Sequence, residues 1–396
     1  ARVPSFLAAL ALFAGARTLP TSSSRTRYLL LGAASPLLLL YSAEARAYCL
    51  LALVCFALFL LALQGTETPR RLAGIALLTA TAVYTHYLAL FVLGALAVVA
   101  ASERRLRSCM AMLAGLVPFL FWLPVMIAQP RGAVAWMHEP PSEFVTGILS
   151  SLGGAGDIPS PFGRPLPAAL ILIGAALALV VLVGLARLWR EDVDVRRAGA
   201  FLVLFFGGVL FASLARPVAF AGRTEMAVLP VWLWTVALAG ERRRGFRFAG
   251  VAIVLVSAVS SVILLVAPRP PLSHARALER IESVARPGDA VVAGAHFYLP
   301  ARLAADRGRL HVPVHPFPLD QASHPGWSLS IRFRREDLTS VEDLLERTPA
   351  SGRVFFQLPP TYVTPLQGLL RARGAVREIV RSPDMVVLGW SRVSRD

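Results

Sequence analysis

Long apolar runs that recur through the first two thirds of the chain constrain its fold more than any other feature. They lie near 3–19, 28–42, 47–63, 71–85, 87–101, 109–128, 166–188, 198–215, 226–240 and 248–267. Apolar runs of about 17–25 residues can cross a hydrocarbon core of about 30 Å. Hydrophobic residues make up 56% of the sequence, against about 45–50% in soluble domains. The sequence therefore predicts a polytopic α-helical membrane protein of about ten spans in the lipid bilayer.

The arginines between these runs predict how the spans are oriented. The chain has 40 basic residues, all of them arginine, and a formal charge of +16. Alternate loops carry Arg17, Arg25, Arg27, Arg70, Arg71, Arg104, Arg105, Arg107, Arg187, Arg190, Arg196, Arg197, Arg242, Arg243, Arg244 and Arg247, whereas the others carry only Arg46, Arg131, Arg164, Arg216 and Arg223. Short loops rich in arginine face the cytoplasm. The loops that carry few arginines are therefore predicted to face outside. The C-terminal part and residue 1 are predicted to lie on the same side.

Charge and cysteine usage argue against nucleic acid as a partner and against a metal site or disulfide framework built from cysteines. Because the arginines fall in short loops between apolar runs, membrane orientation explains them better than nucleic-acid binding, and no nucleic-acid partner is predicted. Cys49, Cys55 and Cys109 lie in or beside apolar runs, with no spacing typical of a metal site or disulfide framework.

An external N-terminus without a visible signal peptide requires a further span upstream. We therefore expect the chain to lack its true N-terminus.

A proline-rich break, "PRPPL", divides the chain into two predicted domains. Residues 1–267 form the transmembrane domain, with a long outer loop at 129–165, and residues 268–396 form a small extracytoplasmic α/β domain. In the second domain, amphipathic stretches such as "SHARALERIESVA" alternate with short strand-like runs such as "AVVAGA" and "GRVFFQL". No glycine-rich fingerprint follows any of these strands, so no nucleotide site is predicted there. The histidines of this domain lack metal-ligand spacing.

Polar residues gather at three predicted outer corners between spans. These are Glu44 and Arg46 in "YSAEARAYCLL"; Tyr84, His86 and Tyr87 in "YTHY"; and Arg216, Arg223 and Glu225 in "RPVAFAGRTEMAVLP". Ionisable residues near membrane depth are costly and usually face a bundle interior or an aqueous cavity. We therefore expect the three corners to converge on one cavity.

Each corner also has a simpler interpretation. Glu44 and Arg46 are compatible with a solvated turn between two helices, and their spacing of two argues against an ion pair along one helix face. His86 between tyrosines is compatible with an aromatic belt at the membrane interface. Arg223 is compatible with a side chain that snorkels to that interface.

The order of these motifs resembles bacterial membrane glycosyltransferases of the GT-C superfamily, relatives of protein O-mannosyltransferases and of the lipid A aminoarabinose transferase. In that family a span ends in Ser-Pro and a Ser-x-Glu-x-Arg-x-Tyr stretch opens the next; the matching positions here are Ser35, Pro36, Ser42, Glu44, Arg46 and Tyr48. "YTHY", "FWLPVMIAQ" with "WMHEPPS", and "RPGDAVV" are similar to further family segments. "GRTEMAVLP" keeps Arg223 and Pro230 of a late family motif, with Thr224 where the family has tyrosine.

The resemblance implies transfer of a sugar from a polyprenyl-phosphate donor to an acceptor outside the membrane, with inversion of configuration. It implies substrate-binding roles for Glu44, Arg46, Tyr48, His86, Tyr87 and Arg223. The family's catalytic acid lies in the first external loop, which would precede Ala1, so no catalytic residue is assigned in this chain. The resemblance also implies a glycan, lipid or protein acceptor and a location in a bacterial inner membrane. No nucleotide-sugar site or obligatory metal is implied, although some relatives use a divalent ion.

Two other functional classes remain open. A transporter or flippase for polysaccharide or lipid would show internal repeats, broken spans in matching halves or charges at mid-span, and none of these is evident. A non-catalytic subunit of envelope assembly would use the C-terminal domain as a binding module. The charges at the ends of spans favour the transferase.

Overall fold

The computed structural model describes residues 3–44, 46–128, 141–156, 166–215, 218–266, 274–294, 297–319, 334–382 and 385–393. These residues form two compact units, a helical unit (3–266) and a C-terminal unit (274–393).

The helical unit contains thirteen α-helices in its described part. They are α1 (Val3–Leu12), α2 (Ser22–Ala34), α3 (Pro36–Ala43), α4 (Tyr48–Leu63), α5 (Pro69–Thr85), α6 (Leu88–Ser102), α7 (Leu106–Leu116), α8 (Leu123–Ala128), α9 (Pro141–Leu152), α10 (Ala168–Leu188), α11 (Val193–Ala215), α12 (Leu229–Arg242) and α13 (Arg244–Val266). Short 3-10 turns at Phe13–Thr18, Val117–Phe121 and Thr224–Ala227 adjoin α1, α7 and α12.

Three of these helices, α10, α11 and α13, are long and apolar enough to cross a membrane. Shorter apolar helical stretches lie at Val3–Thr18, Tyr48–Leu63, Leu88–Ser102, Leu106–Phe121 and Glu143–Leu152. The membrane character of the helical unit is therefore supported, whereas the number of ten spans stays a prediction.

Prolines divide two of the predicted spans into shorter pieces. The predicted span 28–42 is two helices, α2 and α3, because Pro36 occupies the first turn of α3 and Ser35 caps that turn by accepting a hydrogen bond from the Leu38 amide. A proline at this position starts a helix well but cannot continue the preceding one. The predicted span 109–128 is likewise broken, into α7, the 3-10 turn that contains Pro118, and α8. These breaks shorten the continuous helices.

Part of the predicted outer loop is helical. Phe144, Ile148 and Leu152 of α9 are buried, at helical spacing, and α9 packs against α10. This stretch packs within the helical unit because its apolar side chains form one face of the helix.

The arginine-rich loops meet at one end of the helical unit, which we call the arginine-rich end. Arg197 binds the Glu103 carboxylate at 2.7 Å, Arg242 Nε lies 2.8 Å from Asp192 Oδ2, and Arg243 lies 2.6 Å from Glu191. Arg27 pairs with Glu241. These ion pairs join loops that the arginine asymmetry assigned to the same side. Their grouping at one end agrees with that assignment; which compartment this end faces stays a prediction.

The C-terminal unit is a five-stranded mixed sheet flanked by helices. Its elements are α14 (His274–Glu282), β1 (Ala290–Gly294), α15 (Tyr298–Asp306), β2 (Val314–Phe317), α16 (Arg335–Arg347), β3 (Arg353–Leu358), α17 (Pro360–Arg373), β4 (Ala375–Arg381) and β5 (Val386–Ser391). The strand order is β2-β1-β3-β5-β4, with β1 parallel to β2 and β3, and β5 antiparallel to β3 and β4. The predicted α/β pattern is confirmed; β2 and α15 were not predicted.

The sheet has an apolar core on each face. Alternate residues of β1 separate to the two sides: Val291 and Ala293 pack with α14 and α15, whereas Val292 packs with α16 and α17. Phe355 and Phe356 of β3 divide in the same way. Because strand side chains alternate, an almost wholly apolar strand indicates a sheet buried on both faces. The C-terminal unit is therefore a three-layer α/β/α sandwich. Its extracytoplasmic location stays a prediction.

Candidate functional site

The turn between α3 and α4 holds the first two predicted site residues. Glu44 follows the last residue of α3, and its Oε2 lies 3.5 Å from Nε of Arg46. The Arg46 carbonyl accepts a 2.8 Å hydrogen bond from Ser5 Oγ of α1, which fixes the turn. The Glu44 side chain is 21% exposed and that of Arg46 is 43% exposed. The pair therefore lies in a turn rather than on one helix face, as the spacing predicted, and its carboxylate is largely withdrawn from solvent.

An aromatic row extends inward from this turn. The Tyr48 ring, at the start of α4, lies 4.8 Å from the ring of Tyr41 in α3 and 5.4 Å from the imidazole of His86. Tyr41 is buried, and Tyr48 and His86 are half-buried. Aromatic pairs at these separations stabilise each other beyond their burial. The row joins the first corner to the second, so these two corners meet in the structure.

The loop before α12 brings Arg223 to the same place. The Thr224 hydroxyl accepts a 2.9 Å hydrogen bond from the Phe220 amide, and Gly222, at φ +79°, donates its amide to Glu225 Oε1 at 3.0 Å. The left-handed backbone at Gly222 turns the chain sharply, a conformation that favours glycine. The 3-10 turn Thr224–Ala227 packs against α4 and α6. The loop is therefore held by its own side chains beside the start of α4.

Arg223 connects the corners electrostatically. Its guanidinium donates a hydrogen bond to the Tyr48 hydroxyl and lies over the Phe220 ring, 4.6 Å from the ring centre. It is also close enough to Tyr41 and His86 for its charge to act on both. A simple snorkelling role does not explain these contacts, because they are directed to side chains of the neighbouring helices. We call the group Tyr41, Glu44, Arg46, Tyr48, His86 and Arg223 the candidate site.

The surroundings of His86 favour its neutral form. It follows the last residue of α5, and its Nδ1 accepts a 3.1 Å hydrogen bond from the Leu88 amide. Burial, and then the positive charge of Arg223, hold the pKa of His86 below its ordinary value of 6.5. Since Nδ1 accepts, the ring proton of the neutral imidazole lies on Nε2. His86 therefore offers one N–H donor near neutral pH.

The remaining predicted residues lie beside this group or outside the described residues. The Tyr87 hydroxyl accepts a 3.0 Å hydrogen bond from the Trp122 indole, and its ring lies 6.4 Å from that of Phe119. Tyr84 donates its hydroxyl to the Pro118 carbonyl at 2.7 Å. Tyr87 thus contacts the Val117–Phe121 turn and the residue after it. Arg216, at the third corner, lies outside the described residues.

Two residues of functional interest escaped the sequence prediction. Tyr41 lies within the run 28–42 and has no sequence feature that separates it from a lipid-facing tyrosine. Glu225 was noted at its corner but was not assigned to the site; it is fully buried, and its charge acts on Tyr41. A charged residue two positions after Arg223 in an apolar stretch was the available signal, because buried carboxylates are rare unless paired.

The described residues contain no group of three or more His, Cys, Asp or Glu side chains arranged to hold a metal ion. The candidate site offers two guanidinium groups, one carboxylate, one imidazole donor and phenol hydroxyls. Such a set binds anions and hydroxyl-rich ligands.

Comparison with known proteins supports the fold rather than a specific activity. No protein-family model matches the sequence, and no curated protein matches it significantly. The structure is similar to the crystal structure of ArnT from Cupriavidus metallidurans in the apo state, with a TM-score of 0.56 and 14% sequence identity over 98% of this chain and 83% of that chain. The chain therefore has an ArnT-like fold.

Proposed function

We propose that this protein is a GT-C membrane glycosyltransferase that moves a sugar from a polyprenyl-phosphate-linked donor to an acceptor on the outer face of the membrane, with inversion. The observation that carries the proposal is the meeting of Arg223 with Tyr48 and His86, beside the Glu44–Arg46 turn, at one end of the helical unit. The ArnT-like fold supports the class of enzyme and a lipid-linked sugar as the class of donor. A closer relationship to the protein O-mannosyltransferases rests on the sequence resemblance.

The leaving group of this reaction is a lipid phosphate, whose negative charge grows as the bond to the sugar breaks. Fixed cations aimed at that charge lower the barrier. Arginine suits this role because its planar guanidinium stays charged and matches the geometry of phosphate oxygens. Arg223 is held in place by Phe220 and Tyr48, and Arg46 by its pairing with Glu44 and its anchored backbone. We assign both arginines to the phosphate.

The other side chains of the site would orient the substrates. The His86 N–H and the hydroxyls of Tyr48 and Tyr87 can bind phosphate oxygens or sugar hydroxyls. Glu44 would orient Arg46 or accept hydrogen bonds from the acceptor. The attacking hydroxyl must give its proton to a carboxylate, and we assign no residue of this chain to that step. The acceptor, a glycan, lipid or protein, would reach the site from outside a bacterial inner membrane.

The first test measures donor binding and sugar transfer in parallel. The protein, expressed from its complete gene, is reconstituted in lipid nanodiscs and supplied with radiolabelled polyprenyl-phosphate sugars. We expect Arg223→Ala to weaken donor binding about tenfold to a hundredfold, because a charge-assisted hydrogen bond contributes about 1.5–3 kcal/mol. Arg46→Ala, whose side chain is more exposed, is expected to have a smaller effect in the same direction. Transfer is expected to fall at least as far as binding.

Two variants serve as controls for this experiment. Arg244→Ala removes an exposed arginine at the start of α13, at the arginine-rich end, and should leave donor binding unchanged. Arg223→Lys keeps the charge but loses the planar fork, and should fall between wild type and Arg223→Ala. Full donor binding and transfer by both Arg46→Ala and Arg223→Ala would show that these arginines do not bind the phosphate.

A further inference from the structure

An open polar cavity lies at the arginine-rich end of the helical unit, between α2 and α13. It has a volume of about 430 Å³ and is lined by Ser22, Ser23, Thr26, Arg27, Arg247 and Val251. That volume falls in the usual range for small-ligand pockets, about 300–1,000 Å³. Its lining combines two arginines, three hydroxyls and one apolar side chain. None of these residues belongs to the candidate site.

The two arginines are held differently. Arg27 is largely buried and already engaged: it pairs with Glu241 and donates to the Ser23 hydroxyl at 2.9 Å. Arg247 is exposed, and only its Nε has a hydrogen-bond partner among the described residues, the Gly240 carbonyl at 2.8 Å. That bond fixes the guanidinium while leaving its terminal N–H groups for a ligand. With Glu241 opposing Arg27, the cavity has one net positive charge, which suits a singly charged anion.

An apolar stripe leads away from the cavity along α13. Phe248, Val251, Leu255, Val259, Val262 and Val266 are each more than half exposed and lie three or four residues apart, so they share one helix face. The stripe is about 27 Å long at 1.5 Å per residue, close to the thickness of a hydrocarbon core. Such a stripe alone is ordinary for a lipid-facing helix. Here Val251 belongs to both the stripe and the cavity, so a ligand headgroup in the cavity would have its chains on the stripe.

We infer that this cavity binds the phosphate headgroup of an anionic phospholipid, whose acyl chains lie along α13. The charge fits a phosphodiester with one negative charge, as in phosphatidylglycerol. It disfavours phosphatidylethanolamine, whose ammonium group would approach Arg247. Serine and threonine hydroxyls and an arginine fork are the groups that hold phosphate oxygens. The inference rests on the membrane location of α13 and is independent of the proposed enzyme activity.

Native mass spectrometry of the delipidated protein tests this site with defined lipids. Phosphatidylglycerol and phosphatidylethanolamine with identical chains are titrated in turn. We expect one phosphatidylglycerol to bind about tenfold more tightly than phosphatidylethanolamine, because the two lipids share the same phosphate but only the ethanolamine ammonium is repelled by the guanidinium of Arg247. Arg247→Gln should remove that preference. Arg244→Gln, an exposed arginine on the same helix that does not line the cavity, should retain it within about twofold, as expected for a surface charge of small effect.

Further measurements distinguish lipid binding at this cavity from binding at the candidate site, from general surface charge and from binding of a free phosphate compound. Thr26→Val, which removes one lining hydroxyl, should weaken phosphatidylglycerol binding without changing the fluorescence of the buried Trp232 and Trp234. Arg247→Gln should leave polyprenyl-phosphate binding intact, and Arg223→Ala should leave phosphatidylglycerol binding intact. Equal loss of the phosphatidylglycerol preference in Arg244→Gln and Arg247→Gln would show that the preference comes from general surface charge. Displacement of the lipid by soluble glycerol 3-phosphate would assign the cavity to a free phosphate compound. Either result would overturn the proposal.

Discussion

Arg223 shows how a single residue joins segments that lie far apart in the sequence. Its loop precedes α12, whereas its partners Tyr48 and His86 belong to the start of α4 and the end of α5. The sequence predicted that these corners meet, because charged residues at the ends of apolar runs need a common polar environment. The sequence did not predict that the Tyr41 ring contacts Tyr48, because burial of the Tyr41 ring depends on how α3 packs after the break at Pro36.

The imidazole of His86 predicts a pH dependence of donor binding. Its pKa lies below 6.5, so it is neutral at neutral pH and gains a charge only as the pH falls below about 6.5. Protonation would add a cation beside Arg223. We therefore expect the ratio of polyprenyl-phosphate affinities, wild type over His86→Gln, to rise as the pH is lowered from 7.5 toward 5.

The ratio is the informative quantity in this titration. The polyprenyl phosphate used as the probe is a monoester that also titrates near pH 6, unlike the phosphodiester of the donor, but this titration is common to both proteins and largely cancels in the ratio. Binding isotherms for a fluorescent polyprenyl phosphate at several pH values provide the measurement. A ratio that stays constant across this range would show that His86 does not act on the phosphate by its charge.

Among the elements, the apolar runs located the helices better than they located the ends of those helices. Every predicted run contains helix, yet Pro36 and Pro118 divide two runs. Small residues determine how closely helices approach, which periodicity cannot show. Gly115 of α7 is an example: a Cβ atom there would lie 2.3 Å from the Ala76 carbonyl oxygen and 2.7 Å from Thr79 Cβ of α5. Small residues permit such contacts between membrane helices.

Replacing Gly115 should therefore separate α5 from α7. We expect Gly115→Ala to destabilise the protein by about 1–3 kcal/mol, the usual cost of overpacking. Gly94→Ala in α6 is the matched control, since nothing lies within 4 Å of a Cβ at that position and alanine favours the helix by about 1 kcal/mol. Thermal melting in detergent, followed by tryptophan fluorescence, compares the two variants. Equal melting temperatures would contradict the close contact at Gly115.

For the whole molecule, arginine asymmetry predicted which loops share an end, and the ion pairs at the arginine-rich end agree with that grouping. The candidate site lies at the opposite end. Tyr48 starts α4, which is about 24 Å long at 1.5 Å per residue, and near the far end of α4 the Ala62 carbonyl accepts a hydrogen bond from Arg105 of an arginine-rich loop. The positive-inside rule predicts that the arginine-rich end faces the cytoplasm.

Cysteine labelling tests that orientation directly. Ala47, just before α4, and Thr66, between α4 and α5, are exposed at opposite ends of α4. We expect a membrane-impermeant maleimide to label Ala47→Cys in intact cells, and Thr66→Cys only after permeabilisation. The parent protein gives the background, since Cys49 and Cys55 are buried and Cys109 is half-buried. The reverse labelling pattern would invert the topology and place the candidate site in the cytoplasm.

The edges of the C-terminal sheet have a consequence for the protein at high density. One edge strand, β2, has only four residues, and its Pro316 has no N–H for a further strand. The other edge strand, β4, is largely exposed and carries Arg377, Glu378 and Arg381, with Arg381 2.6 Å from Glu378. Short, proline-containing or charged edges resist pairing with another chain. Chains confined to the plane of a membrane meet often, so this sheet is suited to crowding without aggregation between neighbouring copies.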